Sequence, residues 1–306
     1  MTNTLYGKSL ISIGDLTLTE IHLILKRAQQ LKDKPQLDLL KHKLLATCFF
    51  EPSTRTRLSF EAAMKRSGGD VIGFADSQST SSKKGESLQD TMRMVAAYSD
   101  AIVVRHPAEG SARLAAEIAG KPVINAGDGA NYHPSQTLLD LFTIQECQGR
   151  LDELHIAFVG DLKYGRTVHS LAQALCHFPK TRVYCVSPDS LNMPDSTCED
   201  MRNAGLRFSF HKNLQDLLPK LDIVYMTRLQ KERFDAAEFQ KLRSQFSLTA
   251  DMLDVAKSSL KVLHPLPRVD EIDVSVDHTG YAYYFQQAAN GLCVRQAILS
   301  LLLNPA

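Results

Sequence analysis

The chain has 306 residues, 44% of them hydrophobic and 23% charged, which is ordinary globular composition and, at roughly 100–200 residues per domain, favours two domains. With 35 Lys and Arg against 34 Asp and Glu the formal net charge is +1, so no broad nucleic-acid or membrane attraction is expected and any anion binding must be local. The N-terminus has no basic segment followed by a long apolar run, and no stretch approaches the roughly 18 apolar residues of a spanning helix, so neither a signal peptide nor a membrane segment is expected.

In chain order, 44–50 reads as a buried strand. Residues 55–69 read as a helix, with Leu58, Ala62 and Ala63 on one side and Gly68–Gly69 as its stop. Residues 70–75, 101–106 and 121–127 read as further strands, separated by helical patterns at 86–98 and 110–120. A long apolar helix begins after "HPSQ" (133–136), where a domain boundary is expected. The second half repeats this alternation, with strands at 154–161, 182–188, 221–228 and 260–267 and a helix at 165–178. The very apolar helix 291–303 is expected to pack against a sheet. Strands alternating with helices, bounded by Gly and Pro, predict an α/β chain of two doubly wound parallel-sheet domains. The six cysteines, Cys48, Cys147, Cys176, Cys185, Cys198 and Cys293, contain no C-x-x-C pair. Zinc spacing is therefore absent, and reduced thiols in a cytoplasmic protein are expected.

Ligands of such sheets bind at the C-terminal ends of strands. Conspicuous polar residues recur there: Ser53–Arg57, Arg105–His106, His133–Gln136, Arg166, Arg228 and His264–Arg268. Most are cationic or donors, and together they suggest one anionic pocket. The stretch "FFEPSTRTRLSFE" (49–61) concentrates the signal. A helix start has unpaired N–H groups and roughly half a positive charge; Ser53, Thr54 and Thr56 add hydroxyls, and Arg55 and Arg57 add guanidinium forks, a set suited to a phosphate dianion. The plainer alternative is that Ser53 or Thr54 caps the helix while the arginines face solvent.

A second segment, "GDLKYGRT" (160–167), mimics the nucleotide P-loop G-x-x-x-x-G-K-[ST] with Arg166 in place of the lysine. A P-loop needs that lysine and a Mg²⁺ site. A tight strand–turn–helix crossover therefore explains these glycines better, and it leaves Arg166 able to face a cleft.

The pattern F-x-x-x-S-T-R-T-R-x-S-F-E resembles the carbamoyl phosphate signature of the aspartate and ornithine carbamoyltransferase family. "RHP" (105–107) and "HPSQ" (133–136) are similar to that family's next motifs, in the same order. The likeness runs nearly end to end. "HPLPR" (264–268), "MTRLQKER" (226–233), "KKGES" (83–87) and "GRT" (165–167) look like the aspartate branch, whereas the ornithine branch carries a cysteine-bearing "HCLP". The two carboxylates of aspartate call for cations, and Lys84, Arg166 and Arg228 supply three.

The resemblance implies transfer of the carbamoyl group of carbamoyl phosphate to the α-amine of L-aspartate, an early committed step of pyrimidine biosynthesis, with no cofactor and no metal. It implies a carbamoyl phosphate-binding domain at 1–134 plus 291–306, an aspartate-binding domain at 135–290, and an active site in the cleft between them. Ser53, Thr54, Arg55 and Thr56 would cradle the phosphate, and Arg105 with Thr56 would bridge phosphate and carbonyl. His133 would donate to the carbonyl oxygen, Gln136 would hold the carbamoyl NH₂, and the carbonyls of Pro265 and Leu266, in a turn set by Pro267, would accept from it. Lys84, Arg166, Arg228 and Gln230 would hold aspartate. The loop 76–87 would reach a neighbouring subunit's site through Ser81, or Thr80, so a homotrimer with shared sites is implied, and the likeness is strongest to bacterial chains that pair with a zinc-bearing regulatory chain.

His106 and His264 read as structural, and His169 as packing or surface. Glu51 reads as a partner for Arg166 or Arg233 on cleft closure. Three alternatives stay open: a different amine acceptor such as ornithine, a non-catalytic anion binder, and a nucleotide-dependent enzyme built on "GDLKYGRT".

Overall fold

The computed structural model describes residues 3–77, 80–228 and 246–305. The chain divides into two compact units, Met1–Phe142 with Asn290–Ala306, and Thr143–Ala289.

In the first unit, α1 (Leu18–Asp33) starts from a capping box in which Thr17 accepts the Glu20 N–H and Glu20 accepts the Thr17 N–H. Then come β1 (Leu44–Phe49), α2 (Thr54–Arg66), β2 (Asp70–Phe74), α3 (Leu88–Tyr98), β3 (Ala101–His106), α4 (Ser111–Ala119) and β4 (Val123–Asp128). The four strands form a parallel sheet in the order β2-β1-β3-β4. Ala46, Cys48, Phe50, Ile102 and Val104 cluster with Met92, Ala96, Ala112 and Ala115, so α3 and α4 cover one face. Thr47 points to the other face, where its hydroxyl donates to Glu61 of α2 at 3.1 Å. Helices therefore lie on both faces.

The buried side of α2 is Thr56, Phe60, Ala63 and Met64. Leu58, expected on the buried side, is 51% exposed. The face is set by the rows at three- and four-residue spacing that run from Thr56 through Phe60 and Ala63, and this rotation carries Thr56 inward. The helix stops where expected, at Gly68 in the left-handed region with φ +85°.

The long helix α5 (Pro134–Gln148) begins after β4. The boundary expected at 134/135 falls at its start, whereas the two units divide inside it, at 142/143, because its first two turns bury Leu138, Leu139 and Leu141. The second unit holds β5 (His155–Val159), α6 (Arg166–Leu175), β6 (Arg182–Val186), α7 (Asp195–Asn203), β7 (Arg207–His211), β8 (Ile223–Met226) and β9 (Lys261–Leu263). Its parallel sheet runs β7-β6-β5-β8-β9. Ala157, Val159, Tyr184, Val186, Val224, Met226 and Val262 share one apolar cluster with Leu217, Leu218, Leu253 and Ile272.

The last helix, α8 (Tyr284–Leu303), starts earlier than the expected 291 and is buried nearly all round from Asn290 onward. Its apolar character predicts packing against a sheet. Its first residue, Tyr284, joins the apolar cluster of the second sheet, and farther along Arg27 of α1 donates to Ser300 at 3.4 Å and Gln296 donates to Ser67, just past α2, at 3.1 Å.

Each sheet reverses its winding once. The reversal falls between β1 and β3 in the first unit and between β5 and β8 in the second. In open α/β sheets the crevice outside the strand ends at such a reversal is where ligands bind.

The cap of α1 yields a test. Burial opposes ionisation of Glu20. Hydrogen bonds from the Thr17 backbone, Lys8 and the Thr17 side chain, with the Lys8 charge, outweigh it and pull the carboxyl from 4.5 to about 2. A depressed carboxylate contributes stability above its unfolded pKa and loses it as pH falls through the folded value. Glu20→Gln should cost about 2–3 kcal/mol at pH 7, and the gap to the parent chain should close as pH drops from 4.5 toward 2, read by urea melts.

Candidate active site

At the first reversal, β1 and β3 run side by side with Phe49 level with Arg105, and the Phe50 N–H donates to the Arg105 carbonyl at 2.8 Å. The end of β1 turns through Glu51 and Pro52 into α2. Ser53 is the N-cap residue of α2 yet makes no side-chain cap. Its hydroxyl is not spent on the helix, and the first-turn N–H groups, Thr54 to Thr56, have no intrahelical acceptor. Arg55 sits in that first turn and Thr56 is buried beside it. Arg57 is turned away into an i,i+4 pair with Glu61 at 3.5 Å.

Arg105 comes in from β3. One end of its guanidinium meets Glu51 at 2.7 Å and the other donates to the Ala126 carbonyl at 3.2 Å. Its Nε is buried with no hydrogen-bond partner among the described residues. Burial is the largest influence on Arg105 and lowers its pKa; the charge and hydrogen bond of Glu51 oppose this, and the positive charge of Arg55 adds to it. Two guanidinium groups are thus close enough to repel each other at the start of a helix, an arrangement an anion relieves. Within its own unit Glu51 pairs with Arg105. Arg233 lies outside the described residues.

His133 and Gln136 arrive next to this from β4. The turn is organised by Asp128, buried at 1% exposure, whose carboxylate accepts from Asn125 at 2.8 Å, Gly110 N–H at 3.0 Å, Tyr132 N–H at 3.1 Å and Asn131 at 3.2 Å. His106 pairs with Asp128 across the sheet and stacks edge-on against Phe50 at 5.0 Å, in keeping with its structural reading. His133 is buried at the N-terminal end of α5, and its carbonyl accepts the Gln136 N–H at 2.9 Å. The Gln136 amide donates to Asp140 at 2.9 Å. Asp128 and Asp140 escape sequence reasoning because a lone Asp, in a turn or within a helix, has no distinctive spacing.

At the second reversal, Arg166 is the first residue of α6 and Arg228 lies two residues past the end of β8. The glycines of "GDLKYGRT" are explained by close backbone approach. A Cβ on Gly160, at φ +111°, would meet the Thr227 carbonyl at 2.7 Å, and one on Gly165 would meet the Asp161 carbonyl at 2.6 Å. Asp161 accepts the N–H groups of Lys163 and Tyr164 at 3.1 and 3.0 Å, donors that a P-loop would turn toward phosphate. His169 reaches back from α6 to the Leu162 carbonyl at 2.7 Å. A carbonyl only accepts, so Nε2 bears the proton and the histidine clamps the turn.

Beside β8, strand β9 ends at Leu263 and leads into Pro265, Leu266 and Pro267. Leu266 has φ +54° and its peptide bond to Pro267 is cis. The Leu266 N–H donates to His264 Nδ1 at 2.8 Å, so the proton of the neutral ring is on Nε2, which donates to Glu271 at 2.7 Å. Burial raises the Glu271 pKa, but the hydrogen bond from His264 with the Glu271 and Val269 N–H groups lowers it overall. His264 is therefore a buried clamp on the turn that carries the 265 and 266 carbonyls.

Lys84 and Ser81 lie on an exposed 3-10 turn, Ser81–Lys84, between edge strand β2 and α3. Thr80, the alternative to Ser81, ties its hydroxyl to the Ser77 carbonyl at 2.8 Å. Gln230 lies outside the described residues. Among the described residues no group of three or more His, Cys, Asp or Glu is arranged to hold a metal ion, and no helix is long and apolar enough to cross a membrane.

The family model described as aspartate/ornithine carbamoyltransferase, carbamoyl-P binding domain, matches residues 8–146, and its Asp/Orn binding domain counterpart matches 152–302. The aspartate carbamoyltransferase catalytic subunit of Vibrio vulnificus (strain CMCP6) is 60% identical, covering 99% of each chain. Among solved structures, the catalytic subunit of M. jannaschii aspartate transcarbamoylase superposes with TM-score 0.92 at 50% identity, covering 96% of this chain and 97% of that one. Aspartate transcarbamoylase from Trypanosoma cruzi in complex with carbamoyl phosphate and aspartate superposes at 0.91 with 38% identity, covering 99% and 98%. With both domains matched and a full-length relative at this identity, the chain belongs to the aspartate/ornithine carbamoyltransferase family.

Proposed function

We propose that this chain transfers the carbamoyl group of carbamoyl phosphate to the α-amine of L-aspartate, releasing phosphate. The observation that carries the reading is the gathering of Arg55 and Arg105 at the β1/β3 reversal, over a helix start whose N-cap hydroxyl is uncommitted. That combination suits a phosphate dianion. Choice of aspartate over ornithine is supported by the name of the Vibrio relative and by the T. cruzi complex with aspartate, and by arginines at both strand ends of the second reversal. A nucleotide-dependent reading finds no support in the Asp161 turn.

In the proposed reaction, Ser53, Thr54, Arg55 and Thr56 bind the phosphate, and a phosphate oxygen supplies the acceptor that the Arg105 Nε lacks. Arg105, Thr56 and His133 donate to the carbonyl oxygen as negative charge grows there. Gln136 and the carbonyls of Pro265 and Leu266 accept from the carbamoyl NH₂. Lys84, Arg166, Arg228 and Gln230 hold the two carboxylates of aspartate so that its neutral amine faces the carbonyl carbon. The amine forms a C–N bond, the C–O bond to phosphate breaks, and the departing phosphate takes the amine's proton.

The proposal extends to a cytoplasmic homotrimer serving pyrimidine biosynthesis, joined to a regulatory chain. Six free cysteines fit a reducing compartment. Edge strand β2 exposes Ile72, and α2 and α3 expose Leu58, Met94 and Tyr98, apolar surface of the kind subunit contacts cover. The words "catalytic subunit" in the relatives' names point to a second kind of subunit. Within the trimer, Ser81 and Lys84 complete a neighbour's site.

Arg105→Ala should lower kcat by about 100- to 1,000-fold or more with an unchanged melting profile; near-normal turnover by the folded variant would remove Arg105 from the chemistry. Arg228→Ala should raise the KM for aspartate far more than it weakens carbamoyl phosphate binding, and equal losses in the two titrations would contradict its assignment. The purified chain should elute at about three times its 34.0 kDa mass. Mixing inactive Lys84→Gln and Arg105→Ala chains should restore activity, which unshared sites could not do.

A further inference from the structure

Arg295 of α8 is 3% exposed, and its Nε has no hydrogen-bond partner among the described residues. Burial pushes its pKa down to about 10, and the charge of Asp140 on α5 counters that shift. Its guanidinium lies over the Phe60 ring of α2 at 5.0 Å. Room for it is made by Gly291, where a Cβ would meet Arg295 Nη1 at 2.1 Å. A buried cation is costly, and apolar side chains of similar volume usually stabilise a core as well or better. Packing alone therefore does not account for an arginine here, still less for one accommodated by a glycine inside a helix, which itself costs stability relative to alanine.

Asp140 connects this arginine to the site, because its carboxylate accepts from the Gln136 side-chain amide at 2.9 Å. An ionised carboxylate accepts hydrogen bonds and donates none. The NH₂ of Gln136 must then face Asp140, and its carbonyl oxygen faces away. We propose that Arg295 and Asp140 are positioning residues that hold the Gln136 amide in this one orientation, so that the site selects an acyl phosphate bearing an N–H donor over one bearing a methyl group. This rests on the placement of Gln136 at the carbamoyl NH₂ under the function proposed above. An asparagine at 140 can donate as well as accept, and lets the Gln136 amide turn over and present its own NH₂ to the ligand, donor against donor.

The test measures dissociation constants of the full chain for carbamoyl phosphate, acetyl phosphate and inorganic phosphate. Asp140→Asn and Gly291→Ala should each weaken carbamoyl phosphate about tenfold, the scale of one misplaced hydrogen bond, while the other two anions stay within about threefold. Arg295→Lys, which keeps the charge, should keep most of the preference for carbamoyl over acetyl phosphate. Gly291→Ala matters most, since alanine favours the helix and a purely structural arginine predicts no selective loss. Parallel weakening of all three anions, or no change in the folded variants, would overturn the proposal. Turnover of carbamoyl phosphate with L-aspartate by the unaltered chain is scored separately: its absence would sink the proposed reaction, whereas the binding comparison sinks the positioning role.

Discussion

The first unit is built around an electrostatic conflict. Arg105 comes from β3 and Arg55 from the first turn of α2, and each carries a full charge into a place already made positive by helix N–H groups. Glu51, at the end of β1, satisfies one side of Arg105 at 2.7 Å and leaves Nε unmatched. Folding stability alone gives no reason to gather these charges. A doubly negative substrate does, because charge-assisted hydrogen bonds in a partly desolvated site are stronger than the same bonds in water.

Much of the remaining polar structure serves to aim groups rather than to touch a ligand. Asp128 collects four donors and so shapes the turn that delivers His133. His264, bridged to Glu271, holds the Leu266 N–H and with it the carbonyls of that turn. His169 and Asp161 close the turn ahead of Arg166. Arg295 and Asp140 set the Gln136 amide. In each case a buried acceptor or donor has a single geometry open to it, and the neighbouring site residue inherits that geometry.

The alternation of strands and helices, the helix stop at Gly68, and the concentration of cations at strand ends are all legible in the residues, because they depend on local periodicity and on the few residue types that cap, turn or bind anions. Strand β7 escapes that reading, being a short edge strand with polar ends, "RFSFH". Helices α1 and α7 escape it as well. Leu58 shows the limit on helix faces: an apolar residue beside a functional motif is assigned to the core by habit, and only the packing of Phe60 and Met64 shows which side is buried.

The order of amino acids was enough to set the α/β architecture, the phosphate-suited helix start and the roster of cations, since each follows from spacing along the chain. It took the packed fold to place the first division within α5, to make Glu51 the partner of Arg105, and to bring a glycine and an arginine on the last helix to bear on a glutamine in α5. Packing also joins residues far apart in number, as in the bond from Gln296 to Ser67, 229 positions away. Contacts over such distances are chosen by burial and hydrogen-bond satisfaction in the packed core, which no local pattern encodes.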